Sequence, residues 1–137
     1  MTAMNVVDSS GWLEYFADTT HARLFAPAIE DTDHLIVPVV TVYEVFKKFL
    51  RERGESDALQ AVSAMRSGQI VDLDVSLALE AGRFDLPLAD SLIYATAQRH
   101  SATLWTQDED FKGLSGVRYF AKTYPPIKSP PDSPAAL

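Results

Sequence analysis

The chain contains no cysteine. Disulfides and thiolate metal sites are thereby excluded, and the composition fits a reducing compartment. A long apolar run is also missing. The longest strongly apolar stretch, LIVPVVTVY, is nine residues, roughly half of what a membrane span needs. The opening MTAMN has neither a basic nor an apolar segment, so no secretory signal is expected and the reading is a cytoplasmic protein with no membrane partner. Cationic charge is scarce: 12 Lys and Arg stand against 19 Asp and Glu, for a net charge of −7. That balance disfavours indiscriminate binding to polyanions. It either keeps a small protein soluble or reflects acids that converge on one site and attract metal cations. No internal repeat and no second domain are visible.

What is present argues for one packed domain. The 137 residues are 47% hydrophobic and include two Trp, five Tyr and seven Phe. Such a chain buries about two-thirds of its unfolded surface in a single core. Five of the eight prolines fall in the last thirteen residues, PPIKSPPDSPAAL. The expected organisation is a domain over 1–122 and an extended or disordered proline-rich tail over 123–137.

Apolar runs and helical periodicity alternate along the domain. MNVVD reads as a strand ending at Asp8, and SSG starts a helix carrying Trp12, Leu13, Tyr15 and Phe16. Ala22 to Ile29 is helical, with Pro27 a kink or restart. HLIVPVV is a buried strand, after which Thr41 opens a helix with Val42, Val45, Phe46, Phe49 and Leu50 inward, stopped by Gly54. Ser56 caps the next helix, with Leu59, Val62 and Met65 inward. QIVDLD is a short strand, and Ser76 caps a helix to about Phe84. LPLADSLIYATAQRH is a helix with Leu88, Leu92 and Ala95 on its apolar stripe. ATLWT and VRYF are the last strands, the latter at an edge. Strands separated by helices imply an α/β fold: a mostly parallel four- to five-stranded sheet with helices on both faces. Ligands of such sheets bind beyond the carboxyl ends of the strands.

The acids at those ends are the candidate site. Asp8 follows NVV directly; alone it reads as a helix cap. Glu44 closes TVYE, which fits a capping box with Thr41. Asp90, in LPLADSLIY, sits near a core-facing stripe, where a charge is costly unless paired or metal-bound; its bland role is a first-turn dipole partner. Asp108 and Asp110 follow the fourth strand, where loop acids are common. Taken together, carboxylates converging without a cation would raise one another's pKa. An all-oxygen set suits Mg²⁺ or Mn²⁺, and such a site suits phosphodiester hydrolysis.

MNVVDSSGWLEYF, VPVVTVYEVFK, LPLADSLIYATAQRH and ATLWTQDEDF, in this order and spacing, resemble the PIN-domain ribonucleases, most closely the VapC toxins of VapBC toxin–antitoxin modules. The resemblance covers about residues 4 to 120 and implies a PIN-like three-layer sandwich. It matches Asp8, Glu44, Asp90 and Asp108 to the family's catalytic, metal-binding acids, and Asp110 to a secondary acid. Ser9 and Thr106 match positions whose hydroxyls reach the metal shell. It further implies a Mg²⁺-dependent endoribonuclease acting on RNA such as tRNA or rRNA and leaving a 5′-phosphate and a 3′-hydroxyl. The implied assembly is a homodimer silenced by a VapB-like antitoxin that occupies the active-site groove.

RNA binding requires positive charge. Lys48 and Arg51 share a helical face with Glu44, and Lys47 and Arg53 lie nearby; the alternative is an ordinary solvated face with i, i+4 pairing. Arg99 and His100 offer a second rim. No aromatic RNA platform is recognisable, and Tyr94 and Trp105 read as core. A haloacid-dehalogenase-type phosphatase would want an Asp two residues after Asp8, where this chain has Ser10. A PIN nuclease of RNA maturation and a degenerate interaction module are the remaining alternatives.

Overall fold

A computed structural model describes residues 3–122. The expected proline-rich tail over 123–137 lies outside them. Five strands, all parallel, form one sheet in the order β3-β2-β1-β4-β5: β1 (Asn5–Val7), β2 (Leu35–Pro38), β3 (Gln69–Val71), β4 (Thr103–Thr106) and β5 (Val117–Tyr119). Six α-helices connect them: α1 (Ser9–Ala17), α2 (Ala22–Ile29), α3 (Val39–Arg53), α4 (Glu55–Met65), α5 (Val75–Ala81) and α6 (Leu88–Arg99).

Side-chain alternation divides the central strands between two cores. Val7, Leu35, Val37 and Trp105 point to the layer formed by α1 to α4, where they meet Trp12, Phe25, Val45, Phe49 and Met65. Val6, Ile36 and Leu104 point the other way, onto Ile93, Tyr94 and Ala97 of α6 and onto Phe111. Leu77 and Ala81 of α5 pack on Ala95 from outside. The result is the expected three-layer α/β sandwich, and β1, β2 and β4 are predominantly apolar because both of their faces are covered.

Several local expectations are corrected. The helix after β2 starts at Val39, not Thr41, because Pro38 ends the strand and stands directly at the helix N-cap. Thr41 lies inside the first turn, fully buried, and its hydroxyl donates to the Pro38 carbonyl at 2.6 Å. The capping box with Glu44 therefore does not form. Gly54, not Ser56, precedes α4. Asp74, not Ser76, caps α5 by accepting from the Leu77 N–H at 2.8 Å, and that helix stops at Ala81, short of Phe84. QIVDLD contributes only its first three residues to a strand. Pro27 lies within α2 near its end without breaking it. Leu50, Leu59 and Leu88 are exposed, the last at 79%; α6 instead buries Ile93, Tyr94 and Ala97.

Candidate metal centre

The site grows from the register of β1 against β4. Val7 pairs with Trp105, and the Asp8 N–H donates to the Trp105 carbonyl at 3.2 Å. Asp8 and Thr106 thus emerge side by side at the carboxyl ends of the two central strands. Asp8 also caps α1, accepting from the Gly11 N–H at 3.1 Å and from the Ser10 hydroxyl at 2.7 Å. The Thr106 hydroxyl donates to its other oxygen at 2.6 Å. Gly11 is required for this packing. A Cβ there would stand 2.6 Å from Val7 and 2.7 Å from the Phe25 ring.

Burial raises the Asp8 carboxyl to about 6 despite those three donors, and the neighbouring charge of Asp108 adds to the rise. The cap expected of Asp8 is real, yet it leaves a carboxylate only 3% exposed with no cationic partner among the described residues. A helix cap alone does not account for that burial.

Asp90 stands in the first turn of α6, just after Pro87 at its N-cap. Carboxylate oxygens of Asp90, Asp108 and Asp110 all lie within 4.8 Å of one another. Asp90 is raised to about 7: by burial first, then by the charge of Asp108, contact with Asp110, and the charges of Asp110 and Asp8. Asp108 is held by its own loop, its N–H donating to Thr106 Oγ1 at 2.9 Å and its carboxylate accepting from the Asp110 N–H at 2.9 Å. Glu109 is exposed.

Glu44 sits apart from that tight trio. Its carboxylate accepts from the Ser9 hydroxyl at 2.7 Å, which ties α3 to the residue following Asp8. The arrangement therefore holds Asp8, Asp90, Asp108 and Asp110 as one electrostatic group, with Glu44 linked through Ser9. A donor set of carboxylate and hydroxyl oxygens, with acids pushed towards protonation by their neighbours, fits a hard divalent cation.

The basic candidates are dispersed. Lys47, Lys48 and Arg51 lie exposed on α3 beyond Glu44. Lys48 pairs with Glu52 at 2.8 Å rather than with Glu44, and Lys47 donates to the Tyr43 hydroxyl at 3.3 Å. Arg53 stacks on Phe49. Arg99 is engaged by Glu80, Asp74 and Ser76, a clamp between α5 and α6. It lies at the far end of α6 from Asp90, about 14 Å along the helix axis, and so does not flank the acids; nor does His100, whose ring bonds the Thr96 carbonyl. Tyr94 and Trp105 are buried as expected.

Sequence reasoning missed Ser10 and Gln107. Ser10 stands two residues after an acid at a helix start, a pattern that suggests a local hydroxyl donor. Gln107 lies between Thr106 and Asp108 and is 3% exposed; its partners are distant in sequence and leave no local signal.

Comparison with known proteins agrees with this architecture. The family model for the PIN domain matches residues 6–117. No curated protein matches the chain. Among solved structures, a toxin–antitoxin complex from Klebsiella pneumoniae superposes with a TM-score of 0.70 at 22% identity, covering 85% of this chain and 98% of that one. DNA-bound VapBC from Salmonella typhimurium superposes with a TM-score of 0.67 at 14% identity, covering 88% and 98%. VapC20 of Mycobacterium tuberculosis, described as a sarcin–ricin loop cleaving toxin, gives 0.66 at 17%, covering 82% and 95%. At these identities the likeness to the individual structures is one of fold. With the family model spanning most of its length, the chain belongs to the PIN-domain family.

Proposed function

We propose that the chain is a Mg²⁺- or Mn²⁺-dependent endoribonuclease and the toxin of a VapBC-type toxin–antitoxin pair. The observation that carries this reading is the gathering of Asp90, Asp108 and Asp110 oxygens within 4.8 Å, beside the buried Asp8. When bound there, a divalent cation supplies charge neutralisation and a lowered water pKa for phosphodiester hydrolysis. Asp8, Asp90 and Asp108 would hold it, with Glu44 and Asp110 as flanking carboxylates. Thr106, Ser10 and the Gly11 N–H keep Asp8 aimed, while Ser9 orients Glu44. Hydrolysis in this arrangement leaves a 5′-phosphate and a 3′-hydroxyl on the RNA. Lys47, Lys48 and Arg51, exposed on the helix that carries Glu44, are the proposed contacts to the RNA backbone.

The toxin reading rests on the fold shared with toxin–antitoxin proteins of three bacteria. An antitoxin segment lying across the acids would meet several carboxylates, and a basic side chain from it would compete with the cation. A homodimer is supported by α5, whose outer face exposes Val75, Ala78 and Leu79 at helical spacing. Asp72 and Asp74 precede this helix and Arg83 follows it, so an antiparallel twofold pairing brings opposite charges together. No helix among the described residues is long and apolar enough to cross a membrane, and we place the protein in the cytoplasm.

Induced expression in a bacterial host tests the toxin assignment. Growth arrest, relieved by co-expressing a small adjacent reading frame, is the expected result. Harmless expression of the wild type would reject it and leave a nuclease of RNA maturation or an inactive interaction module.

A further inference from the structure

The loop that carries Asp108 is anchored from behind by a buried polar chain. The backbone stays extended past β4, so Thr106 and Asp108 face the acid cluster while Gln107 points to the opposite side. There its amide meets two residues far away in sequence. Oε1 lies 2.8 Å from Nδ1 of His21, in the turn before α2, and Nε2 donates to Glu14 of α1 at 2.8 Å. Gln107 and His21 are 3% and 6% exposed.

The hydrogen-bond roles follow by elimination. Burial would raise the Glu14 carboxyl, but hydrogen bonds from Gln107 and Thr19, with His21 and Lys122 nearby, hold it below its ordinary value. Glu14 is then an acceptor only, so the Gln107 NH₂ must face it and the amide oxygen must face His21. Nδ1 of His21 is accordingly the donor. Every polar atom of the Gln107 side chain is engaged in one orientation, and the reverse orientation would set oxygen against oxygen at Glu14.

This chain joins two of the elements that supply the acids, the helix start at Asp8 and the loop of Asp108. Glu14 belongs to the helix capped by Asp8, and Gln107 is flanked by Thr106, which bonds Asp8, and by Asp108. We propose that Gln107 is a positioning residue that pins the Asp108 loop to α1 through Glu14 and to the start of α2 through His21, preassembling the carboxylates for a divalent cation. The proposal rests on the metal-site reading above and adds a requirement to it. Without the anchor, mutual repulsion among Asp8, Asp90, Asp108 and Asp110 would push the loop outward, and closing it would draw on cation-binding free energy. Residues that orient metal ligands from behind typically change metal affinity by about 10- to 100-fold when removed.

Titration of the purified protein with Mn²⁺ alone, followed by calorimetry and by electron paramagnetic resonance of the free ion, tests this directly. Gln107→Leu keeps the volume and removes both hydrogen bonds, and should weaken Mn²⁺ binding about 10-fold or more. Gln107→Glu should do likewise, by placing a carboxylate against Glu14. The exchanged pair Glu14→Gln with Gln107→Glu restores a donor opposite an acceptor, and should return Mn²⁺ affinity to within about threefold of wild type. A folded Gln107→Leu protein that binds Mn²⁺ as wild type does would overturn the proposal. So would an exchanged pair as weak as Gln107→Glu alone, and that comparison decides the matter where Gln107→Leu does not fold. If the wild type itself binds no Mn²⁺, the metal-site reading fails and this proposal fails with it. If the wild type binds and the variants match it, only the anchoring role is lost.

Discussion

At the scale of single residues, the site is defined by carboxylates held where they are uncomfortable. Asp8 and Asp90 are raised to about 6 and about 7, against about 4 in an unfolded chain. Between pH 4 and pH 7 the folded protein therefore keeps protons that the unfolded chain has released, so its stability falls as pH rises through that window. Glu14 acts in the opposite sense: its carboxyl is held low, so its contribution grows as pH rises past its ordinary value of 4.5 and offsets part of the fall at the lower end of the window. Thermal melts of the metal-free protein should decline from about pH 5.5 to pH 7, above the range in which Glu14 still gains, and Mg²⁺ should reverse the decline with release of protons. Asp90→Asn should flatten the upper half of that profile. At pH 8 it should raise the metal-free Tm by about 2–4 °C, a gain kept small by solvent screening, while abolishing cation-dependent activity. A lower Tm for Asp90→Asn at pH 8 would mean that the carboxylate stabilises the fold and is not held at a cost for function.

At the scale of elements, close approach of α1 to β1 and α2 depends on one absent side chain. Gly11 stands so near Val7 and Phe25 that a methyl group would clash with both. Gly11→Ala should destabilise by about 1–3 kcal/mol in chemical denaturation, as overpacking does, despite alanine's better helix propensity. An unchanged or increased stability would show that Phe25 yields freely. The elements themselves were largely legible. β1, β2 and β4 announced themselves as apolar runs because helices cover both faces; the rule about strand carboxyl ends pointed to Asp8 and Asp108, and the helix starts on the same edge pointed to Glu44 and Asp90. Helix starts were less legible. Thr41, Ser56 and Ser76 have the chemistry of caps, but Pro38, Gly54 and Asp74 hold those positions because the chain turns two or three residues earlier. The bond between Ser9 and Glu44, and the chain from Glu14 through Gln107 to His21, join residues 35 to 93 positions apart. Such partners become visible only when the sheet order brings α1, α3 and the β4 loop together.

At the scale of the whole molecule, the proposed activity asks an acidic protein to act on a polyanion. A divalent cation at the acids would reconcile the two, since unneutralised carboxylates would repel RNA. The apolar outer face of α5, where Val75 and Leu79 are exposed at helical spacing, is the contact surface of the proposed dimer. Leu79→Asp should convert a dimer to a monomer in light-scattering chromatography with Mn²⁺ affinity unchanged; a dimer that survives would place the contact elsewhere. The central claim is the metal-dependent cleavage of RNA. Purified wild-type protein, freed of any partner, should cut RNA with Mg²⁺ to leave 5′-phosphate and 3′-hydroxyl ends, and should be silent in EDTA or as Asp8→Asn. Cleavage that persists in EDTA, or in Asp8→Asn with an intact melt, would contradict it.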